Sequence, residues 1–266
     1  MHIDEMRFCA PAAGDPPGCF YCVIDDEWAQ GRTLFGGLQA MLAVRAMRLL
    51  MPSLPALWSL HTTFVAPIAP GRIRVQVELL RQGKTAIQMS AKLMDGVQVA
   101  AIVVAAFGAA RESALCVKPV IQPVPQNFDA GVELPFIPAL SPAFTQHYAY
   151  SWLAGGLPFS GGTEPNTRIK LRQRDVGTLN EDHIVALADA IPPVALSLVQ
   201  GLTQASTLSW SLEFVRHPQP VDSALWWRVD ATLLAARDGY SNQDAHLYGP
   251  DGELIALSRQ VVAVFG

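Results

Sequence analysis

Residues 57–67 read LWSLHTTFVAP, and residues 208–218 read LSWSLEFVRHP. A shift of 150 positions aligns three pairs of residues: Ser59 with Ser209, Phe64 with Phe214, and Val65 with Val215. The strands that follow share a V-x-x-x-L-L pattern at an offset of 154, and VVAAFG at 103–108 matches VVAVFG at 261–266 at an offset of 158. An offset that grows along the chain is what turns of different length between matching strands produce. The sequence therefore predicts an internal duplication.

Each half contains the same order of elements: one strand, one helical region and an antiparallel run of strands. In the first half we expect a strand near 19–27, a helix at 36–50 and strands at 57–66, 72–81, 85–94 and 97–107. In the second half we expect a helical region at 180–200 and strands near 206–216, 224–235, 240–248 and 253–265. Apolar residues cover nearly the whole circumference of the first helix, so it is predicted to be buried on most sides.

Residues 109–145 are unusually rich in proline, which cannot continue a helix or a central strand. This composition predicts a long irregular connector that packs across the surface. It divides the chain into three parts: an N-terminal domain at 1–108, the connector at 109–145 and a C-terminal domain at 146–266.

Composition excludes several classes of protein. Half of the residues are apolar, 16% are charged and the net charge is −4, which argues against a disordered chain and against a general nucleic-acid binder. No stretch approaches the roughly 18–20 apolar residues that span a bilayer. The acidic N-terminus does not match a signal peptide. We expect a soluble cytoplasmic protein without membrane or nucleic-acid partners.

Four segments resemble the acyl-CoA thioesterase II family and its thioesterase-like relatives: LFGGLQ (34–39), SLHTTFVAP (59–67), VELLRQGKT (77–85) and LADAIPPVAL (187–196). The resemblance covers both halves but not the connector. It implies an α+β fold of two tandem hotdog domains, each a curved antiparallel sheet that wraps a central helix. It also implies hydrolysis of acyl-CoA thioesters to a free acid and CoA, without a metal, another cofactor or a covalent intermediate.

The family draws its catalytic Asp, its Thr or Ser, and its Gln from the second hotdog. By motif, these correspond to Asp189, Thr207 and Gln260. The repeat places them opposite Gln39, Leu57 and Ile102, so each is more polar or more charged than its counterpart. An unpaired buried polar group costs about 1–3 kcal/mol. The asymmetry therefore suggests one site, in the second half, where the three side chains satisfy one another around a water.

Each candidate also has a structural explanation. Asp189 could cap the helical segment that restarts after Ile191-Pro192-Pro193. Ser206 and Ser209 are rival hydroxyls beside Thr207, and Gln260 could be a surface residue of the last strand.

The substrate-binding candidates are Gly36, Gly37, Arg81, Gly83, Lys84 and Thr85. Backbone N–H groups at Gly36-Gly37 could hold a carbonyl oxygen or an anion, although close packing of the helix is equally compatible. The turn at 81–85 carries two cations that could meet CoA phosphates, and a solvated turn is the alternative. A basic strand face formed by Arg168, Lys170, Arg172 and Arg174 offers a similar contact, but an ordinary wet sheet face explains it as well.

Other chemistries have little support. Cys19 and Cys22 form a C-x-x-C inside a predicted strand, without the further ligands of a zinc site, and are expected to be inert. There is no G-x-S-x-G motif around Ser160 or elsewhere, no phosphate-binding loop and no hydratase-type Asp and His pair. We expect an acyl-CoA thioesterase that forms a homodimer or a larger homo-oligomer. The alternative is a non-catalytic double hotdog that binds acyl-CoA or a small aromatic or acyl ligand.

Overall fold

The first half of the chain contains one long helix and four long strands. The computed structural model describes residues 2–9, 11, 13–115, 117, 119, 121, 131–174 and 177–265. The elements of the first half are β1 (Phe8–Cys9), β2 (Cys19–Ile24), β3 (Ala29–Gln30), β4 (Thr33–Leu34), α1 (Gly36–Leu50), β5 (Ala56–Phe64), β6 (Gly71–Gln82), β7 (Ala86–Asp95) and β8 (Gln98–Gly108), with short 3-10 helices at Ile3–Glu5 and Asp26–Trp28. The predicted helix and four strands are confirmed within two residues.

The second half repeats this order with a broken helix. Its elements are β9 (Val132–Leu134), a 3-10 helix (Ala143–His147), β10 (Tyr148–Ala154), β11 (Asn166–Gln173), β12 (Thr178–Leu179), α2 (Glu181–Ala188), α3 (Ala195–Leu198), β13 (Gln204–Phe214), β14 (Val221–Asp222), β15 (Trp227–Arg237), β16 (Tyr240–Tyr248) and β17 (Leu254–Phe265). The helical region predicted for 180–200 is interrupted after Ala188. Pro192 and Pro193 remove backbone donors and restrict the residues before them, which accounts for the break.

One continuous sheet, not two, forms the framework. Thirteen strands run in the order β1-β2-β6-β7-β8-β5-β13-β17-β16-β15-β11-β10-β9, all antiparallel. The halves join where β5 pairs with β13, from Ser59↔Glu213 to Thr63↔Ser209. The expectation of two separate sheets is wrong on this point, because backbone hydrogen bonds across the join satisfy strand edges that would otherwise be exposed.

The β-bulges of one half recur in the other. The β5 register shifts between Leu57 and Ser59, and the β13 register shifts between Thr207 and Ser209. The other repeated bulges lie between Leu79 and Arg81 and between Leu233 and Ala235. A bulge is a local insertion that turns the strand, so its recurrence at offsets of 150 and 154 is a structural signature of the duplication.

Helix α1 is the centre of the first half. It packs against β6, β7, β8 and α2, and its residues from Gly37 to Val44 are buried, as the apolar sequence predicts. Arg45 and Arg48 are its cations, and they form ion pairs with Asp182 and Glu181 at the first turn of α2. Acidic side chains at a helix N-terminus are favourable because they oppose its dipole. These pairs therefore join the two helices at one end.

Strand β2 carries Cys19 and Cys22, which are free and buried as expected for inert residues. Burial raises the pKa of the Cys22 thiol to about 11, which disfavours the reactive thiolate. Cys116 lies outside the described residues. Among the described helices, none is both long and apolar enough to cross a membrane.

The described part of the predicted connector is not wholly irregular. Residues 132–134 form the edge strand β9, which pairs with β10, and residues 143–147 form a 3-10 helix. Phe144 of that helix stacks on Phe35, with ring centroids 4.0 Å apart. Residues 116, 118, 120 and 122–130 of the connector lie outside the described residues.

Gly37 is required by the close approach of α1 and α2. A Cβ at this position would lie 2.6 Å from the Ala186 carbonyl oxygen and 2.6 Å from Phe35 Cζ. We expect Gly37→Ala to lower the free energy of unfolding by about 1–3 kcal/mol, as overpacking does. Gly177→Ala is the control, because a Cβ there meets nothing within 4 Å. Denaturant titration measures both; equal stabilities would contradict the packing argument.

Candidate active site

Asp189 lies at the point where the second helix breaks. It is the C-cap of α2, and its N–H is bonded to the Ala186 and Leu187 carbonyls. The prolines at 192 and 193 prevent the helix from continuing beyond this point. The Asp189 side chain is largely enclosed by protein and keeps a partly exposed face.

The Asp189 carboxylate joins the two halves of the chain. Gln260 Nε2 of β17 donates to Asp189 Oδ1 at 2.5 Å, and the backbone N–H of Gly37 in α1 also donates to the carboxylate. Asp189 therefore caps a helix, but not the helical segment after Pro193 that the sequence suggested. Asp189 accepts from the first turn of α1, whose N-terminal dipole favours a negative charge, rather than from the segment that follows it.

Gln260 is itself held by a second glutamine that the sequence reasoning missed. The Val194 N–H donates to Gln243 Oε1 (2.9 Å), and Gln243 Nε2 donates to Gln260 Oε1 (3.1 Å). A backbone N–H can only donate, so this first bond sets the orientation of both amides and directs Gln260 Nε2 at Asp189. Both glutamines are buried.

Burial raises the pKa of Asp189 to about 7, although the hydrogen bonds from Gln260 and Gly37 act to lower it. Two buried tyrosines lie close enough to Asp189 to be affected by its charge. The hydroxyls of Tyr148 and Tyr150 are buried without a partner among the described residues, and their pKa values are raised by burial and by the Asp189 charge. A carboxyl group with a pKa near 7 can accept and return a proton at neutral pH.

A cavity of about 350 Å³ reaches Asp189 between the halves. Gly36 forms part of its wall, and a Cβ there would lie 2.9 Å from Asp189 Oδ2. Glycine at position 36 therefore lets the N-terminus of α1 approach the Asp189 carboxylate closely, and both residues line the cavity. Of the two glycines, Gly36 lines the cavity, whereas Gly37 donates its backbone N–H to Asp189 and is not part of the cavity wall.

Thr207 lines the same cavity from β13, opposite the buried Val262. Its rival Ser206 also lines the cavity but is exposed, whereas Ser209 is not part of the wall. The structure thus brings Asp189 and Gln260 into direct contact and places Thr207 on the cavity wall, with no hydrogen bond from Thr207 to either among the described contacts.

The sheet register corrects the pairing of the two halves. Gln260 lies opposite Gln243 and Trp210, and the matching row of the first half is Met89, Ala105 and Leu60. The counterpart of Gln260 is therefore Ala105, not Ile102, and that of Gln243 is Met89. The terminal VVAxFG match is misleading, because it aligns β17 with β8 three residues away from the alignment that the hydrogen-bond register gives. The offset of 154 found for the preceding strands pairs Gln243 with the apolar Met89, so this polar replacement is visible in the sequence.

The helix pairing also changes. The short strand Thr33-Leu34 precedes α1 by the same number of residues as Thr178-Leu179 precedes α2. When the two helices are aligned on these strands, Asp189 corresponds to Val44, the ninth residue of α1, rather than to Gln39. Val44 is fully buried. The inferred asymmetry is retained: the second half has Asp, Gln and Gln where the first has Val, Ala and Met.

The turn at 81–85 lies away from this cavity. The strand register places this turn at the same end of the sheet as Leu57 of β5. The cavity is lined by Phe64 at the other end of β5, and Leu57 and Phe64 are about 23 Å apart along the strand. Arg81, Gly83, Lys84 and Thr85 are exposed and are not brought to the site in this chain. The matching turn of the second half, which carries Arg237, is level with Thr207.

The basic face of β11 is an outer sheet face with partners of its own. Arg172 lies over the Trp226 ring at 4.9 Å, Lys170 lies 5.4 Å from the same ring, and Arg168 pairs with Asp230 at 3.4 Å. Ser160 Oγ donates to the Ser197 carbonyl at 3.3 Å and has no catalytic neighbour in the described contacts. No group of three or more potential metal ligands occurs among the described residues.

Solved structures with the same fold cover nearly the whole chain. A hot dog fold protein of unknown function from Alicyclobacillus acidocaldarius has a TM-score of 0.81 at 20% identity and covers 93% of each chain. The tesB protein of Mycobacterium avium subspecies paratuberculosis has a TM-score of 0.74 at 13% identity over 98% of this chain and 96% of its own. Acyl-CoA thioesterase II TesB2 of Mycobacterium marinum has a TM-score of 0.67 at 16% identity over 94% of each. The fold is thus a hotdog fold.

Two family models match the sequence. The acyl-CoA thioesterase N-terminal domain matches residues 24–108, and the acyl-CoA thioesterase C-terminal domain matches residues 125–264. The chain belongs to the acyl-CoA thioesterase family. A search of the curated proteins found no match.

The raised pKa of Asp189 predicts a measurable effect on stability. A group with a raised folded-state pKa stabilises the protein most below its unfolded value near 3.8, and this contribution is lost as the pH rises through about 7. We therefore expect Asp189→Asn to be more stable than the native chain at pH 8. The difference should shrink towards pH 4. Thermal unfolding across this range measures it, with the exposed Asp222→Asn as the control; a pH-independent difference would exclude the shifted pKa as its cause.

Proposed function

We propose that the chain hydrolyses acyl-CoA thioesters to a free acid and CoA. The observation that carries this proposal is the Asp189 carboxylate, whose burial raises its pKa to about 7 while Gln260 and the N-terminus of α1 hold it at the wall of a cavity. Family membership supports the same reaction class. Thioester hydrolysis needs a positioned water, a base and donors for the developing oxyanion, and these residues can supply them.

In the proposed reaction, Asp189 accepts a proton from water as the water oxygen attacks the thioester carbonyl carbon. Gln260 keeps the carboxylate oriented, and the Thr207 hydroxyl positions the water. Negative charge develops on the carbonyl oxygen near Gly36, where the N-terminal dipole of α1 is favourable. The carbon–sulfur bond then breaks, and Asp189 returns the proton to the leaving thiolate. The products are the carboxylic acid and the CoA thiol, and these steps use no metal or other cofactor.

Asp189→Asn tests this role because the amide cannot accept the proton. General-base catalysis contributes roughly 10²–10⁴-fold, so we expect kcat/KM to fall by at least about 100-fold in a thiol-release assay. For the native enzyme, kcat/KM should rise with pH through about 7, since the base acts when it is deprotonated. Asp222→Asn, an exposed position on β14, is the matched control.

Two results would count against the assignment. Unchanged hydrolysis by Asp189→Asn would exclude Asp189 as the base. Binding of acyl-CoA by the native chain, without release of thiol from any ester of a chain-length panel, would favour the non-catalytic binding protein instead.

Gln243 is proposed as a positioning residue that acts through Gln260. The variant Gln243→Met introduces the residue type that the first half has at this position, Met89. Methionine cannot donate to Gln260 Oε1, so the orientation of the Gln260 amide is no longer fixed. A hydrogen bond to a charged group is worth about 1.5–3 kcal/mol, so we expect a roughly 10- to 100-fold loss of kcat. The pH midpoint should also rise, because weaker donation destabilises the carboxylate. A loss of stability with an unchanged pH midpoint would indicate a purely structural role.

A further inference from the structure

A second cavity of about 210 Å³ opens beside the first, and the proline-rich connector forms much of its wall. Seven of its lining residues lie at 134–145, among them Leu134, Phe136 and Phe144. The opposite wall contains Ala190 to Pro193, the residues immediately after Asp189. We call this cavity the acyl chamber.

The acyl chamber adjoins the cavity at Asp189. Five residues line both: Gln30, Pro142, Phe159, Pro193 and Leu196. The two differ in chemistry. The cavity at Asp189 includes Thr33, Ser206 and Thr207, whereas aromatic side chains, prolines and aliphatic side chains dominate the chamber. A thioester with its carbonyl carbon at Asp189 would therefore extend its apolar acyl group into the chamber.

The connector wall is fixed at both ends. Leu134 pairs with Tyr150 in the sheet, and Phe144 stacks on Phe35, the residue directly before α1. Between them, the Ile137 N–H donates to Ser141 Oγ at 3.1 Å, and the Ser141 N–H donates to the Ile137 carbonyl at 2.8 Å. A wall held in this way is preformed, so binding does not have to order it.

We propose that the seven connector residues that line the chamber select the acyl group, and that the substrates are thioesters of compact apolar acids. This inference rests on the proposed function, because it places the thioester at Asp189. A 150 Å³ cavity binds benzene, which has six carbons. By proportion, the chamber of about 210 Å³ holds an acyl group of about eight carbons, such as a medium straight chain or one ring with a short linker.

The test is a panel of straight-chain acyl-CoA esters from acetyl to palmitoyl. Each buried methylene contributes about 0.8 kcal/mol, so kcat/KM should rise about fourfold per methylene until the chamber is full. We expect the rise to stop near octanoyl-CoA. A rise that continues to palmitoyl-CoA would overturn the proposal.

Phe136 and Ile137 provide a matched pair of variants. Phe136 lines the chamber, whereas its neighbour Ile137 is 46% exposed and does not. Phe136→Ala should lower the ratio of kcat/KM for octanoyl-CoA to that for butyryl-CoA by at least about threefold, and Phe136→Leu should lie between it and the native enzyme. Ile137→Ala should keep the native ratio. A native ratio in both Phe136 variants would overturn the proposal.

Binding to Asp189→Asn separates this inference from the proposed reaction. The same panel, titrated calorimetrically into this variant, should show affinity that increases to about octanoyl-CoA and then levels. If the native protein releases no thiol but this break in affinity is present, the reaction is wrong and the acyl chamber stands. If thiol is released but neither kcat/KM nor affinity shows a break, the reaction stands and the chamber assignment is wrong.

Discussion

The carboxylate of Asp189 is the constraint on which the site depends, because an ionised group among apolar side chains requires hydrogen bonds that the protein must supply. Gln260 supplies one and the Gly37 N–H another. Each has structural consequences: the first requires a second buried glutamine, Gln243, and the second requires glycine where α1 approaches α2. Even with these donors, burial leaves the pKa of Asp189 near 7. A site that destabilises its own charged base in this way is typical of acid–base catalysis.

The corresponding region of the duplicated fold has the opposite character. At the first turn of α2, Glu181 and Asp182 stand where α1 has Gly36 and Gly37, and Arg48 and Arg45 pair with them. Glu181 Oε2 also accepts from the N–H of Leu57, the counterpart of Thr207, at 2.9 Å. At this end, charged side chains that pair with one another therefore stand where the other end has glycines. One end of the helix pair thus has two glycines and the Asp189 carboxylate, while the other has ion pairs that hold the helices together.

Much of the fold could be predicted from the sequence, because strand periodicity and the buried pattern of α1 are local signals. The motif resemblance also identified Asp189, Gln260 and Thr207 as candidates. Their counterparts were harder to predict: a three-residue slide of the last strand exchanged Ala105 for Ile102, and only the register of hydrogen bonds resolves such a slide. Gln243 was missed for a different reason: the offset of 154, which sets it against Met89, was not applied to this strand. The turn at 81–85 was selected by its charge, but charge alone carries no information about which end of a strand faces the cavity.

The sequence by itself determined the duplication, the element order, the family resemblance and the inequality of the halves, since these depend on residue types and their spacing. The tertiary structure decided what residue spacing cannot encode. It joined the halves through β5 and β13 into one sheet, gave Asp189 a donor from each half, and built the connector into a cavity wall beside it. The physical reason is that the site joins α1, the end of α2 and β17, which are distant in the chain. Their contacts arise only when the sheet aligns and the helices pack.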